Sequence, residues 1–322
     1  MRILFFGTPD LAATVLRALA ESEYGKDIVG VVTREDKPKN RGHKLCPPPV
    51  KTEAEKYGYP VFQPQTLREE VFGETFRALA PDLCVVAAYG KILPHYILFD
   101  PKYHALNVHG SLLPKYRGAA PIRRAIMAGE KAIGVTIMAM DDGLDTGDML
   151  LKKWFFPKPT QNGGEIEARL AALGSEALLE VIRSIGTDKY PPKKQNGKSS
   201  TYASKITSAD RAVDFSLPSK KCADLIRALA PDMPAAARLD GSLVKLVSAR
   251  QTDLASAGAP GTVAYLNAKR DGAIGVNCAD GVIELLRIIP EGKSEMSAGD
   301  FIRGRKITEH SVFEKADLGG EK

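Results

Sequence analysis

Short apolar runs alternate with helix-patterned stretches through the first half of this 322-residue chain. Arg2 to Phe6, Ile28 to Val32 (IVGVV), Leu83 to Ala87 (LCVVA), Ala105 to Val108 and Gly134 to Met138 (GVTIM) have strand length and almost no polar alternation. Such strands are buried on both faces. With helical patterns between them, as at Ala12–Leu19 and Glu165–Ile185, they predict an α/β domain: a Rossmann-like parallel sheet with helices on either side. Pro9 suits the first position of the first helix and Thr8 its cap. The nucleotide fingerprints are absent. Gly7-Thr8-Pro9-Asp10 is not G-x-G-x-x-G, and no G-x-x-x-x-G-K-[ST] occurs, which disfavours a nicotinamide dehydrogenase or a P-loop nucleotidase.

The rhythm changes near Tyr190. The stretch YPPKKQNGKSSTYASK has the Pro, Lys, Ser and Gly content of a linker. A helical pattern at Ser219–Ala230 follows, then short strands. Asp240-Gly241 and Asp280-Gly281 each separate two apolar runs, the signal of a hairpin, and Gly261–Leu266 is a further strand candidate. Short antiparallel strands over about 100 residues suggest a smaller C-terminal OB-like β-barrel. The expected division is 1–189 for the α/β domain, 190–207 for a basic linker and 208–312 for the barrel. The remaining 313–322 form a frayed tail.

The chain is 44% hydrophobic and 26% charged, so it is neither disordered nor short of core material. No run approaches the roughly 18 apolar residues of a membrane span. Cys46, Cys84, Cys222 and Cys278 lie dozens of residues apart with no C-x-x-C pair, which argues against a zinc knuckle, a redox motif or a disulfide scaffold. A cytoplasmic monomer with no membrane partner is the expectation. The net charge of +6 is concentrated. Arg34 to Lys51 carries Arg34, Lys37, Lys39, Arg41, Lys44 and Lys51 against Glu35 and Asp36; Pro191 to Lys205 carries Lys193, Lys194, Lys198 and Lys205 against no acid. Basic loops of this kind are either solvated surface or attractors of a phosphate backbone.

Two segments place unusual polar groups at strand ends. In Asn107-Val108-His109 the polar residues are two apart, hence on one face of the strand, at the carboxyl end where open α/β sheets bind ligands. The segment from Met140 to Asp148 holds four carboxylates, more than a turn needs. An amide that donates without titrating, a histidine and a carboxylate suit a reaction that develops an oxyanion and moves a proton. The same residues could instead be satisfied core polars beside a solvated acidic loop. No Ser or Cys stands in a nucleophile-elbow context, so direct transfer between two bound substrates fits better than a covalent enzyme intermediate. The acidic spacing does not match an EF-hand, and no metal is expected.

The pair NVHGSLLPKYRGAAPI and GVTIMAMDDGLDTGDML, about two dozen residues apart, closely resembles the folate-dependent formyltransferases, as does the opening RILFFGTPDLA. That resemblance implies a one-carbon group transferase with 10-formyltetrahydrofolate as co-substrate, and Asn107, His109 and Asp145 as the catalytic trio. It further implies that Ser111, Leu112, Leu113 and Pro114 border the folate site, and that Tyr89, Gly90, Asp141 and Asp142 line its pterin side. Three features resemble the branch acting on methionyl initiator tRNA: the basic insertion TREDKPKNRGHKLCPPPVK, the lysine-rich stretch ending STYASKI, and the C-terminal barrel. For that branch Arg41, Lys39, Lys44, Lys193, Lys194, Lys198 and Lys205 are the expected tRNA contacts, and translation initiation the context. The glycinamide ribonucleotide branch is shorter and lacks the barrel. Formyltransferases of amino-sugar nucleotides also have a C-terminal extension and remain an alternative, as does a non-catalytic RNA-binding relative.

Overall fold

The computed structural model describes residues 1–39, 44–304 and 307–319. They form two compact units: Met1–Pro121, Ile133–Phe155 and Glu167–Ala203 in the first, Ile122–Ala132, Phe156–Ile166 and Ser204–Lys322 in the second. Residues 190–203 of the lysine-rich stretch thus lie in the first unit.

The first unit is built on a seven-stranded sheet. Its strands are β1 (Ile3–Gly7), β2 (Ile28–Val32), β5 (Val61–Phe62), β6 (Leu83–Ala87), β7 (Ala105–His109), β8 (Ile133–Ala139) and β9 (Met149–Phe155), in the order β5-β2-β1-β6-β7-β8-β9. The five strands from β5 to β7 pair in parallel. β1, β6 and β7 are buried at every residue, as parallel strands covered on both faces must be. β8 and β9 depart from the parallel expectation: β8 runs antiparallel to β7, and β9 antiparallel to β8. An apolar run has no directional signal, so GVTIM reads the same either way. The helices are α1 (Asp10–Ala20), α2 (Pro49–Lys56), α3 (Glu74–Leu79), α4 (His95–Phe99) and the greater part of α6 (Gly163–Arg183). Thr8 does not cap α1; Pro9 holds that position without a side-chain bond, and Thr8 Oγ1 donates to the Tyr89 carbonyl (3.1 Å). Within the basic insertion, β3 (Lys37–Lys39) and β4 (Lys44–Cys46) pair antiparallel.

α1 and α2 are joined by a buried carboxylate. Glu53 is only 5% exposed, and its oxygens accept from Nε and Nη2 of Arg17 (2.8 and 3.0 Å) and from Lys56 (2.9 Å). The Arg17 bonds hold its pKa at about 2 against the opposing effect of burial.

In the second unit, residues 122–128 of α5 (Pro121–Ala128) lie with α7 (Ser219–Leu229) and an antiparallel sheet. That sheet runs β12 (Val263–Leu266), β13 (Ile274–Asn277), β14 (Val282–Pro290), β11 (Ser242–Gln251), β10 (Ala235–Leu239), β16 (Phe313–Lys315), with β15 (Met296–Ser297) beside β14 and α8 (Ala298–Gly304) following. Both Asp-Gly pairs form their hairpins; Asp240 and Gly241 adopt the left-handed backbone (φ 47° and 82°) that such a turn requires. The sheet curls until its ends meet: Val263 N donates to Ser311 O (3.2 Å) and Phe313 N to Gly261 O (2.7 Å). This is the small barrel the strand pattern implies. Its last strand lies in the segment expected to fray, because Phe313 is buried against Phe215 (ring centroids 5.9 Å apart).

Glu53 yields a stability prediction. A carboxylate with a depressed native pKa stabilises the fold above its unfolded pKa of about 4.3 and ceases to as pH falls towards 2. Glu53→Gln is expected to cost about 1–2 kcal/mol at pH 7, with solvent screening at the exposed cations limiting the effect. Chemical denaturation at pH 7 and at pH 3 checks it: the gap between variant and wild type should narrow at the lower pH.

Candidate active site

β7 delivers Asn107 and His109 from one face. Both are buried, and within the described residues the Asn107 carboxamide has no hydrogen-bond partner. His109 is fixed by the loop that leaves β7. Its Nε2 lies 3.0 Å from the Tyr116 carbonyl. A carbonyl only accepts, so Nε2 is the donor in this contact and Nδ1 is left to the other side of the ring. Nδ1 faces Asp145 Oδ1 at 3.7 Å, beyond hydrogen-bond length but within ion-pair range. Asp145 is itself held: its Oδ2 accepts from the Gly118 N–H (2.8 Å). The structure therefore sets His109 against Asp145, with Asn107 two residues before His109 on the same face of β7.

The loops that do this are conformationally costly. Tyr116 (φ 59°), Gly118 (φ 110°) and Asp145 (φ 51°) all lie at positive φ, which for a residue with a Cβ costs roughly 1–2 kcal/mol. External bonds hold them. Tyr116 N donates to Thr201 Oγ1 (2.8 Å), Arg117 N to Thr201 O (2.9 Å) and Ala203 N to Arg117 O (2.6 Å). The stretch 201–203 thus runs beside 116–118. Gln195 bonds both to Arg117 (3.1 and 2.8 Å) and to the carbonyls of Asp145 and Gly147 (2.8 Å each). Sequence reasoning passed over Arg117, Thr201 and Gln195. Gly118, directly after three larger side chains, was the one available signal of unusual backbone.

The expected folate border divides in two. Ser111 and Leu113 are buried; they build the turn and do not face outward. Ser111 Oγ donates to Lys115 O (2.6 Å), while Thr136 Oγ1 donates to Ser111 O (2.7 Å) and accepts from Leu113 N (3.1 Å). The Lys152 ammonium donates to the Leu113 carbonyl, and burial, with nearby Lys193, lowers its pKa. Leu112 and Pro114 are half-buried, and the Leu113–Pro114 peptide is cis. Tyr89 is buried with its hydroxyl unpartnered, its ring edge-on to Phe6, and burial pushes its pKa up to about 12. Gly90 (φ 76°) follows at the end of β6, its carbonyl accepting from Arg34. Asp141 closes a local turn, accepting from Gly143 N (3.1 Å) and Thr146 Oγ1 (2.6 Å), while Asp142 is exposed. Local turn chemistry and the facing of His109 therefore account for two of the four carboxylates.

Lys193, Lys194 and Lys198 are exposed on the first unit and Lys205 on the second. Lys39 and Lys44 pair through their backbones; their side chains, and all of Arg41, lie outside the described residues. Among the described residues no group of three or more His, Cys, Asp or Glu could hold a metal ion, and no helix is long and apolar enough to cross a membrane.

Residues 1–182 match the model of the formyl transferase family, and residues 205–306 that of the formyl transferase C-terminal domain. The methionyl-tRNA formyltransferase of Geotalea uraniireducens is 41% identical over 98% of this chain and 99% of its own length. That of Desulfotalea psychrophila is 43% identical over 97% and 95%. The chain belongs to the methionyl-tRNA formyltransferases. Among solved structures, an N-formyltransferase from Helicobacter canadensis in complex with folinic acid and dTDP-3-aminofucose superposes with a TM-score of 0.64 at 19% identity, covering 88% of this chain and 98% of that one; at that identity the likeness is one of fold.

The candidate site is sensitive at Gly118. A Cβ there would stand 2.7 Å from the Tyr202 ring and 2.9 Å from the Ala203 carbonyl. Gly118→Ala is expected to lower stability by about 1–3 kcal/mol and to slow formyl transfer, because relief of the clash pulls the Gly118 N–H from Asp145. Thermal unfolding and single-turnover rates measure the two effects.

Proposed function

We propose that this formyltransferase moves the formyl group of 10-formyltetrahydrofolate to the α-amino group of methionine esterified to initiator tRNA, with Asn107, His109 and Asp145 at the reacting centre. The observation that carries the reading is the full-length relationship to methionyl-tRNA formyltransferases at about two residues in five. The facing of His109 Nδ1 and Asp145 supports it.

The donor chemistry of the site fits the co-substrate. A pterin edge alternates donors and acceptors, and the 140–148 loop, which follows the strand β8 paired to β7, offers carboxylates and turn backbone; Tyr89–Gly90 stands at the end of the neighbouring strand β6. The folate, when bound, supplies the activated formyl group. The chain's own residues do the rest. An α-amine has a pKa of about 7.7–8.0 and reaches its neutral, attacking form without strong assistance. Attack forms a carbon–nitrogen bond and puts negative charge on the formyl oxygen. The Asn107 amide and the Nδ1–H of protonated His109 are the donors for that charge; losing one such donor typically costs about 10²–10³-fold in rate. Asp145 compensates the imidazolium and passes the amine proton towards the departing nitrogen as the old carbon–nitrogen bond breaks. Because Nε2 is committed to Tyr116, protonation of His109 changes only the face turned to Asp145 and the reactants.

Two measurements test this. His109→Ala and Asn107→Ala should each lower turnover by at least about 10²-fold with little change in tRNA affinity, since both act in the transition state; near wild-type turnover removes that residue from the mechanism. Neutralising Lys193, Lys194 or Lys198 should reduce the slope of log affinity against log salt by roughly 0.9 per lost phosphate contact, if the acceptor stem behaves as a duplex polyanion. Salt-independent kinetics, or formylation of an amino-sugar nucleotide in place of methionyl-tRNA, would overturn the tRNA reading and leave the transfer chemistry standing.

A further inference from the structure

We infer that Gln195 is a positioning residue of the active site: it locks the loop carrying Asp145 to the loop that fixes His109. The inference rests on the role proposed above for Asp145. Gln195 is half-buried and its carboxamide is fully used. Oε1 accepts from Nε and Nη2 of Arg117 (3.1 and 2.8 Å), and Nε2 donates to the carbonyls of Asp145 and Gly147 (2.8 Å each). Arg117 stands between Tyr116, whose carbonyl meets His109 Nε2, and Gly118, whose N–H meets Asp145 Oδ2. One side chain therefore joins both loops within a residue of both contacts that orient the His109–Asp145 pair.

Both loops need such a tie. Tyr116 and Asp145 sit in the left-handed backbone region, a conformation that persists only where its surroundings impose it. The 3.7 Å separation of Nδ1 and Oδ1 is set by two loops far apart in sequence, and small misplacements of catalytic groups can cost about 10²-fold in rate. The choice of residue is also specific. A carboxamide can accept from a guanidinium with its oxygen while donating two N–H bonds to carbonyls. Glutamate, equal in size, keeps the Arg117 side but sets a second oxygen against two carbonyl oxygens. The backbone around Gln195 is pinned as well, because Lys193 pairs with Met149 through both N–H···O bonds (2.9 Å each).

The test uses the full chain with Gln195→Glu and Gln195→Met. In steady-state formyl transfer to methionyl-tRNA, both variants should lose at least about tenfold in kcat, with KM for each substrate within about twofold of wild type. In the protein alone, amide hydrogen exchange at Gly118 should accelerate at least about tenfold while β6 and β7 stay protected. A kcat within twofold of wild type, a change confined to KM, or unchanged exchange at Gly118 overturns the proposal. So does exchange that rises equally throughout β6 and β7 in both variants, which marks a general stability residue. Failure of the wild-type protein to formylate methionyl-tRNA defeats the functional reading instead, and the exchange measurement then still decides whether Gln195 holds the loops.

Discussion

The hydrogen bond between His109 Nε2 and the Tyr116 carbonyl is the interaction on which the site depends. A buried imidazole must account for both nitrogens, and this bond settles one of them. It holds the ring plane and leaves Nδ1 facing Asp145. The bond exists only because the chain after β7 turns back through the Ser111–Pro114 segment and enters the left-handed region at Tyr116. Thr136, opposite His109 in the β7–β8 register, secures that turn through its hydroxyl. The antiparallel strand β8 is therefore a support of the site as well as an element of the sheet.

The same economy governs the acidic loop. Asp145 faces His109 from a hairpin connection, and its second oxygen is occupied by a backbone N–H from the His109 side. The carboxylate thus faces the imidazole with one oxygen and tethers the loop after β7 with the other. Its neighbour Asp141 only closes a turn. Carboxylates in one short loop differ in role according to what each oxygen touches, and composition cannot separate them.

How much of this could be read from sequence depends on the range of the signal. Period and propensity act over a few residues. They located β1, β2, β6 and β7, the long helix α6, and both Asp-Gly hairpins of the barrel. They also put Asn107 and His109 on one strand face. Strand direction is a property of pairing partners, so the reversal of β8 and β9 left no local mark. Phe313 falls in the tail expected to fray, because its partner Phe215 lies far away in sequence. Ser111 and Leu113 belong to a motif that suggests ligand contact, and only burial shows that they form the turn itself. Gln195 lies in a stretch whose composition says linker, and the partners of its four hydrogen bonds are all 48 to 78 residues away.

The pairing of 201–203 with 116–118 has a consequence for where the first unit can be cut. A chain cut at Lys189, where the apolar pattern stops, would retain every strand of the large sheet. It would lack the Thr201 hydroxyl and carbonyl that receive Tyr116 and Arg117, the Ala203 N–H bonded to Arg117, and the Gln195 amide. Excision at that point would leave the two strained loops at Tyr116–Gly118 and Asp145 without their outer fastening. The shortest piece that fastens both loops is thus longer than the piece that holds every strand of the sheet, by the stretch from Tyr190 to Ala203.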